Sequence, residues 1–179
     1  LCDYVFKKKR VALMPKAAVL LTSKILEMKT YLFLFSLAVL LAACKNTPNY
    51  DATSFIEMKK DPCFGACPVY EFRVDGKGDA TFHGKSFTSK EGTWKRTLTP
   101  EETATLFEAF EASNFFEAFR DEYTAEVTDL PTTYLTFSHG GKSKTIKDYF
   151  GAPEALKNLE KQVELIAESN EGWTQVEKG

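Results

Sequence analysis

The residues whose types and spacing could do chemistry centre on Cys63-Phe64-Gly65-Ala66-Cys67-Pro68. Two thiols with three residues between them meet only if the chain turns, and Gly65 permits the turn. In an oxidising compartment such a pair forms a disulfide. So small a ring removes little loop entropy. Its stabilisation falls below the ~3 kcal/mol of a roughly 15-residue loop, so its role is to fix a tight local turn. Two other readings stay open. A small ring can be reducible, which would make Cys63 and Cys67 a thiol–disulfide or peroxide-handling centre, although the usual redox spacing has two intervening residues. A metal would need two further ligands, and His83 and His139 are the only histidines.

Other catalytic constellations are thin. There is no Gly-x-Ser-x-Gly elbow. Gly76-Lys77-Gly78 and Gly140-Gly141-Lys142 sit in hairpin sequence and not between a strand and a helix, so neither reads as a phosphate loop. His83 precedes Gly84 and His139 precedes Gly140, which reads as two solvent-exposed strand ends. Asp121, Glu122, Glu126 and Asp129 gather around Tyr123. Two carboxyls in a cleft with separated pKa values could do acid–base work, as in a small hydrolase. The plainer reading is a solvated loop in which Asp129 bonds nearby amides ahead of Pro131. The spacing of an EF-hand is absent. No catalytic residue, cofactor or metal site is assigned.

What surrounds these residues sets their compartment. From Met28-Lys29 the chain enters an apolar run, Tyr31 to Ala43, broken only by Ser36. The run falls short of the roughly 20 residues that span a bilayer and fits the core of a signal peptide. It ends in Leu41-Ala42-Ala43-Cys44, which reads as a bacterial lipobox: small residues fit a peptidase groove, and the cysteine thiol receives lipid. Residues 28–43 are therefore expected to be a lipoprotein signal peptide, and 44–53 the lipidated Cys44 with a polar tether. Residues 1–27 read as an upstream or mis-started segment. Several palmitate-like chains at ~0.8 kcal/mol per buried methylene would anchor the protein stably. Lys45 stands where enteric inner-membrane lipoproteins carry aspartate, which points to the outer membrane.

The full chain has 179 residues, 23 basic and 25 acidic, and 44% hydrophobic residues, a globular composition. Residues 1–43 hold seven basic and two acidic side chains, so the chain from Cys44 onward carries 16 basic and 23 acidic ones. That balance argues against nucleic acid as a partner and against electrostatic docking on anionic lipid. The expected partners are a membrane, through the lipid anchor, and a protein of the envelope.

The elements that must position the candidates follow from periodicity. Phe55 to Met58 is a weak strand. Tyr70, Phe72 and Val74 alternate with charged residues in a half-buried strand, Asp75 to Gly78 is a turn, and strands over Asp79–Gly84 and Gly92–Leu98 complete a meander. Thr99, Pro100 and Glu102 form a capping box for a helix that places Thr103, Leu106, Phe107 and Phe110 on one face. Phe115, Phe116 and Phe119 read as core filler. Thr133–Ser138 and Lys144–Phe150 flank the hairpin signal Gly140-Gly141. A last helix begins near Pro153, with Leu156, Leu159, Val163 and Ile166 inward and Lys157, Glu160, Lys161 and Glu164 on the wet faces. The expectation is one α+β domain over residues 54–173, an antiparallel sheet (meander plus C-terminal hairpin) covered on one face by two helices, with 174–179 as a tail.

The motif Cys63-Phe64-Gly65-Ala66-Cys67-Pro68-Val69-Tyr70 resembles an uncharacterised domain family of bacterial envelope lipoproteins of Bacteroidetes type. The resemblance continues through Tyr123, Thr128-Asp129-Leu130-Pro131-Thr132, Lys147-Asp148-Tyr149 and Ala152-Pro153, ending near Trp173. It implies export and lipidation and no reaction. Tyr123, Asp129, Asp148 and Tyr149, all within the matched pieces, are the candidate binding surface. The expected function is a lipid-anchored binding or structural module, with the thiol–disulfide protein as the alternative.

Overall fold

The computed structural model describes residues 50–179. The expected segment 1–27, the signal peptide 28–43, Cys44 and the tether up to residue 49 lie outside the described residues.

Alternation of buried and exposed side chains builds the sheet. The strands are β1 (Phe55–Lys60), β2 (Val69–Asp75), β3 (Asp79–Ser86), β4 (Gly92–Thr97), β5 (Glu122–Tyr123), β6 (Thr133–His139), β7 (Lys142–Asp148) and β8 (Thr174–Glu177). They form one sheet in the order β5-β7-β6-β1-β2-β3-β4-β8. All pairings are antiparallel except β5 with β7. Among the described residues three helices, α1 (Pro100–Ala112), α2 (Phe115–Ala118) and α3 (Glu154–Ala167), complete an α+β fold on a mostly antiparallel open sheet. Residues 174–179, expected as a tail, instead contribute β8 to the sheet edge beside β4. All four β8 residues are exposed, so no hydrophobic alternation announces it.

The capping box closes as the residues require. The Thr99 hydroxyl accepts from the Glu102 amide, and the Glu102 carboxylate accepts from the Thr99 amide. Phe107, Phe110, Phe115 and Phe116 bring their rings 5.2–6.1 Å from that of Phe137 on β6. These aromatics are therefore core, at separations where edge and offset contacts are favourable. Glu160, expected on a wet face of the last helix, is buried with Leu156, Leu159, Val163 and Ala167. No described helix is long and apolar enough to cross a membrane.

The register sorts the connections into two ends. Loops 61–68, 87–91, 124–132 and 149–153 lie at one end of the sheet, where Lys60 faces Thr133, Val69 faces Ser86 and Thr133 faces Asp148. The β2–β3 and β6–β7 hairpins lie at the other, together with residues 50–54, which lead into β1. Tyr50, expected in a solvated tether, is 4% exposed, its ring 4.6 Å from that of Phe107. Gly76 makes this possible. A Cβ there would sit 2.2 Å from the Asp51 carbonyl oxygen, and the Gly76 amide donates to the Ser54 carbonyl at 2.8 Å.

Candidate functional site

Cys63 and Cys67 are joined in a disulfide, with Cα atoms 5.7 Å apart. Bonded to each other, the sulfurs are not thiolate ligands, which removes the metal reading of this pair. The bridged loop connects β1 to β2 and holds Phe64 out at 92% exposure. Three more large apolar side chains, Phe87, Leu130 and Phe150, are exposed on the other loops of the same sheet end. The loops are tied to one another. The Asp61 amide donates to the Thr132 carbonyl at 2.9 Å, and the Tyr149 hydroxyl donates to the Val127 carbonyl at 2.7 Å.

Tyr123, Asp129, Asp148 and Tyr149 do not form one surface. Tyr123 and Asp148 face each other across the β5–β7 pairing, and both are buried. The Tyr123 hydroxyl accepts from the Arg120 amide at 3.1 Å. Tyr149 is half-buried and braces the 124–132 loop. Asp129 alone is exposed, in a left-handed conformation at φ 69°. The acidic loop is likewise no acid–base centre. Asp121 pairs with Lys144 at 3.3 Å, Glu122 pairs with Lys147 at 2.7 Å, and Glu126 and Asp129 stand out in solvent.

The carboxyl pair with separated proton affinities lies instead between β7 and α3. Asp148 ends β7, and Lys157 and Glu160 project from α3. The Lys157 ammonium sits against Asp148 Oδ2 as an ion pair without hydrogen-bond alignment, and donates to Glu160 Oε2 at 3.0 Å. Asp148 Oδ1 and Glu160 Oε1 are buried with no hydrogen-bond partner. Burial, with the Asp148 charge beside it, pushes the Glu160 carboxyl up to about 7 against the pull of Lys157. For Lys157, burial opposes the ammonium while the two carboxylates hold it, with a net upward shift. Two carboxylates against one ammonium leave one excess negative charge in a dry site, and a proton on Glu160 relieves it. The arrangement can store a proton. The two carboxylates are buried, while the Lys157 side chain that bridges them is half exposed to solvent. A signal existed in the sequence: Leu156, Glu160, Val163 and Ala167 follow the four- and three-residue steps of one helix face.

A second constellation was also missed. His139, read as a solvent-exposed strand end, is half-buried, with Nδ1 3.0 Å from Ser54 Oγ and Nε2 3.0 Å from Glu111 Oε1. His83 is likewise half-buried within β3, with Nδ1 3.0 Å from Thr93 Oγ1. Serine, histidine and glutamate in contact raise nucleophilic catalysis. The geometry opposes it. Ser54 is 3% exposed, and its hydroxyl donates to Asp51 Oδ1 at 2.9 Å. Bonds from Thr53 and Ser54 hold the Asp51 carboxyl down at about 2. The Tyr50 hydroxyl donates to Glu111 Oε2 at 2.9 Å; burial first, and then Glu111, raise its pKa. The cluster is a clasp that fastens residues 50–54 onto α1 and β6.

A groove of about 340 Å³ between α1 and α3 is lined by Leu106, Leu165 and Ile166 with Glu101, Glu102 and Gln162. The Glu102 carboxyl is held low first by the Thr99 amide and also by Arg96, so its oxygens are committed to the helix cap.

A search of the curated proteins finds no match to the chain. Residues 54–167 match the family described as Domain of unknown function (DUF6438). The match begins at Ser54 in the clasp, takes in the disulfide loop and the Asp148–Lys157–Glu160 cluster, and ends with α3; on it, the chain belongs to the DUF6438 family.

Proposed function

We propose that this protein is a binding module held on a bacterial envelope membrane, the outer one, by lipid on Cys44, after removal of a signal peptide over residues 28–43. In this reading both long helices cover one face of the sheet, and the work is done at the loop end. The observation that carries the proposal is the polarity of the sheet. The chain enters β1 from the clasped end, and Phe64, Phe87, Leu130 and Phe150 stand exposed at the opposite end. Exposed apolar groups gathered at one place mark interaction surfaces. A disulfide that fixes the loop under Phe64 lowers the entropy lost on binding. The expected partner is an envelope protein. The one serine–histidine contact among the described residues buries its hydroxyl, which favours a binding role over nucleophilic catalysis there.

Two measurements test this. In cells fed an alkyne fatty acid, the full chain should take up label, and Cys44→Ser should lose both label and membrane association. With a photoreactive benzoylphenylalanine at position 64, the full chain should crosslink to a discrete species. At position 141 in the β6–β7 hairpin it should not. Crosslinking at 141 alone, or at neither position, would sink the binding-module reading. Absence of label would sink the anchor independently.

A further inference from the structure

We propose that the loop end receives an extended, lysine- or arginine-rich segment of a partner protein. This rests on the binding-module reading and names the chemistry of its ligand. The four loops form a continuous row, because they cap β3, β2, β1, β6 and β7, which are neighbours in the sheet. At about 4.8 Å per strand the row is about 20 Å long, the length of about six extended residues.

The loops of the row are apolar and negative, and the lysines at the strand ends beside them, Lys59, Lys85 and Lys147, are paired with Asp61, Glu71 and Glu122. Phe64 is 92% exposed, Phe87 61% and Phe150 49%. The four loops contain the acids Asp61, Glu91, Glu126 and Asp129 and one base, Lys90. Lys90 is withdrawn from the surface. It is 4% exposed, its ammonium donates to the Ser169 carbonyl at 2.7 Å, and it lies over the Phe82 and Trp173 rings. Asp61 is paired with Lys59 at 2.9 Å. Glu91, Glu126 and Asp129 are exposed and have no ion pair among the described residues.

A cation is attracted to the face of an aromatic ring as well as to a carboxylate, so one lysine or arginine satisfies both kinds of group on this row. The protein already uses that contact internally, with the Arg73 guanidinium 3.4 Å from the centre of the Phe55 ring. A purely apolar partner would strip water from the three carboxylates with no return. An anionic lipid surface would be repelled by them. The backbone beneath two of the rings is fixed beforehand, under Phe64 by the disulfide and under Phe87 by a left-handed turn at φ 55° beside the Thr88 hydroxyl bond to the Lys90 carbonyl.

The test is fluorescence anisotropy on the detergent-solubilised full chain with three labelled probes of about six residues. They alternate serine with lysine, with glutamate or with leucine. At low salt the lysine probe should bind roughly tenfold more tightly than either of the others, and salt should weaken it. Phe64→Ser and Phe87→Ser should each weaken it about fivefold. Both sites are exposed, and unchanged melting would confirm folding. The triple variant Glu91→Lys, Glu126→Lys, Asp129→Lys should reverse the preference between the lysine and glutamate probes. Equal binding of the three probes, a preference that survives the triple variant, or tightest binding of the leucine probe would each overturn the inference. A partner crosslinked through position 64 that presents no basic segment would overturn it while leaving the binding-module reading intact. Loss of crosslinking at position 64 would end both.

Discussion

Glu160→Gln should make the protein more stable at alkaline pH and change little at acid pH. The Glu160 carboxyl moves from an ordinary 4.5 to about 7, chiefly because burial disfavours its charge. A group raised on folding contributes stability that is fully present below 4.5 and is lost as pH rises through about 7. A shift of that size corresponds to about 3 kcal/mol between the two limits. Glutamine keeps the shape, cannot ionise, and leaves Lys157 its ion pair with Asp148. At pH 8.5 the variant should therefore be up to about 3 kcal/mol more stable than the wild type, and at pH 4 the two should nearly coincide. Asp51, held at about 2, titrates below this window. Urea titrations followed by the fluorescence of Trp94 and Trp173 would measure both limits. Equal pH dependence in the two proteins, or an equal loss of stability in the variant at both pH values, would refute the reasoning that a dry, over-acidic site drives the shift.

The other expectations are local. Gly76→Ala places a methyl group 2.2 Å from the Asp51 carbonyl oxygen, so it should cost about 1–3 kcal/mol and speed amide exchange over residues 50–54. Ser54→Ala removes the partner of His139 Nδ1 and should cost about 1–3 kcal/mol in chemical denaturation, with the same gain in exchange. Thr99→Ala should cost about 1 kcal/mol through the lost cap, read as a lower melting temperature with an unchanged far-ultraviolet spectrum. Cys63→Ser should lower the intact mass of the oxidised protein, because oxygen replaces sulfur and only the two light hydrogens given up in the disulfide are regained. It should cost well under ~3 kcal/mol, since the ring it opens is small. A larger loss would make the bridge more than a loop constraint.

The helix cap, the meander and the β6–β7 hairpin were legible because local rules decide them: a capping box, alternation in steps of two, and a glycine pair at a tight turn. By charge Glu160 reads as a surface residue, but its position on the inner helix face buries it where Lys157 bridges it to Asp148. The pairing of β5 with β7 involves two residues and that of β8 with β4 a fully exposed segment, so neither leaves a pattern to read. The clasp was invisible because Ser54, Glu111 and His139 meet only through the fold, with Ser54 and His139 85 positions apart in sequence. The row of loops was hidden for the same reason, since the register of five strands has to be known before Phe64, Phe87, Leu130 and Phe150 fall at one end.

The position of β1 gives the domain a mechanical axis. The strand begins just after the clasp, ends at the loop that bears Phe64, and is paired over all six of its residues with both β2 and β6. A pull applied between the N-terminal side and Phe64 runs along this strand, while its hydrogen bonds lie across it. Such a load is shared by both ladders at once, in shear, and does not open them one bond at a time. A tether fastened to an edge strand such as β8 would instead be peeled. The strand that leads from the clasp to Phe64 is thus the one held by six paired residues on each side.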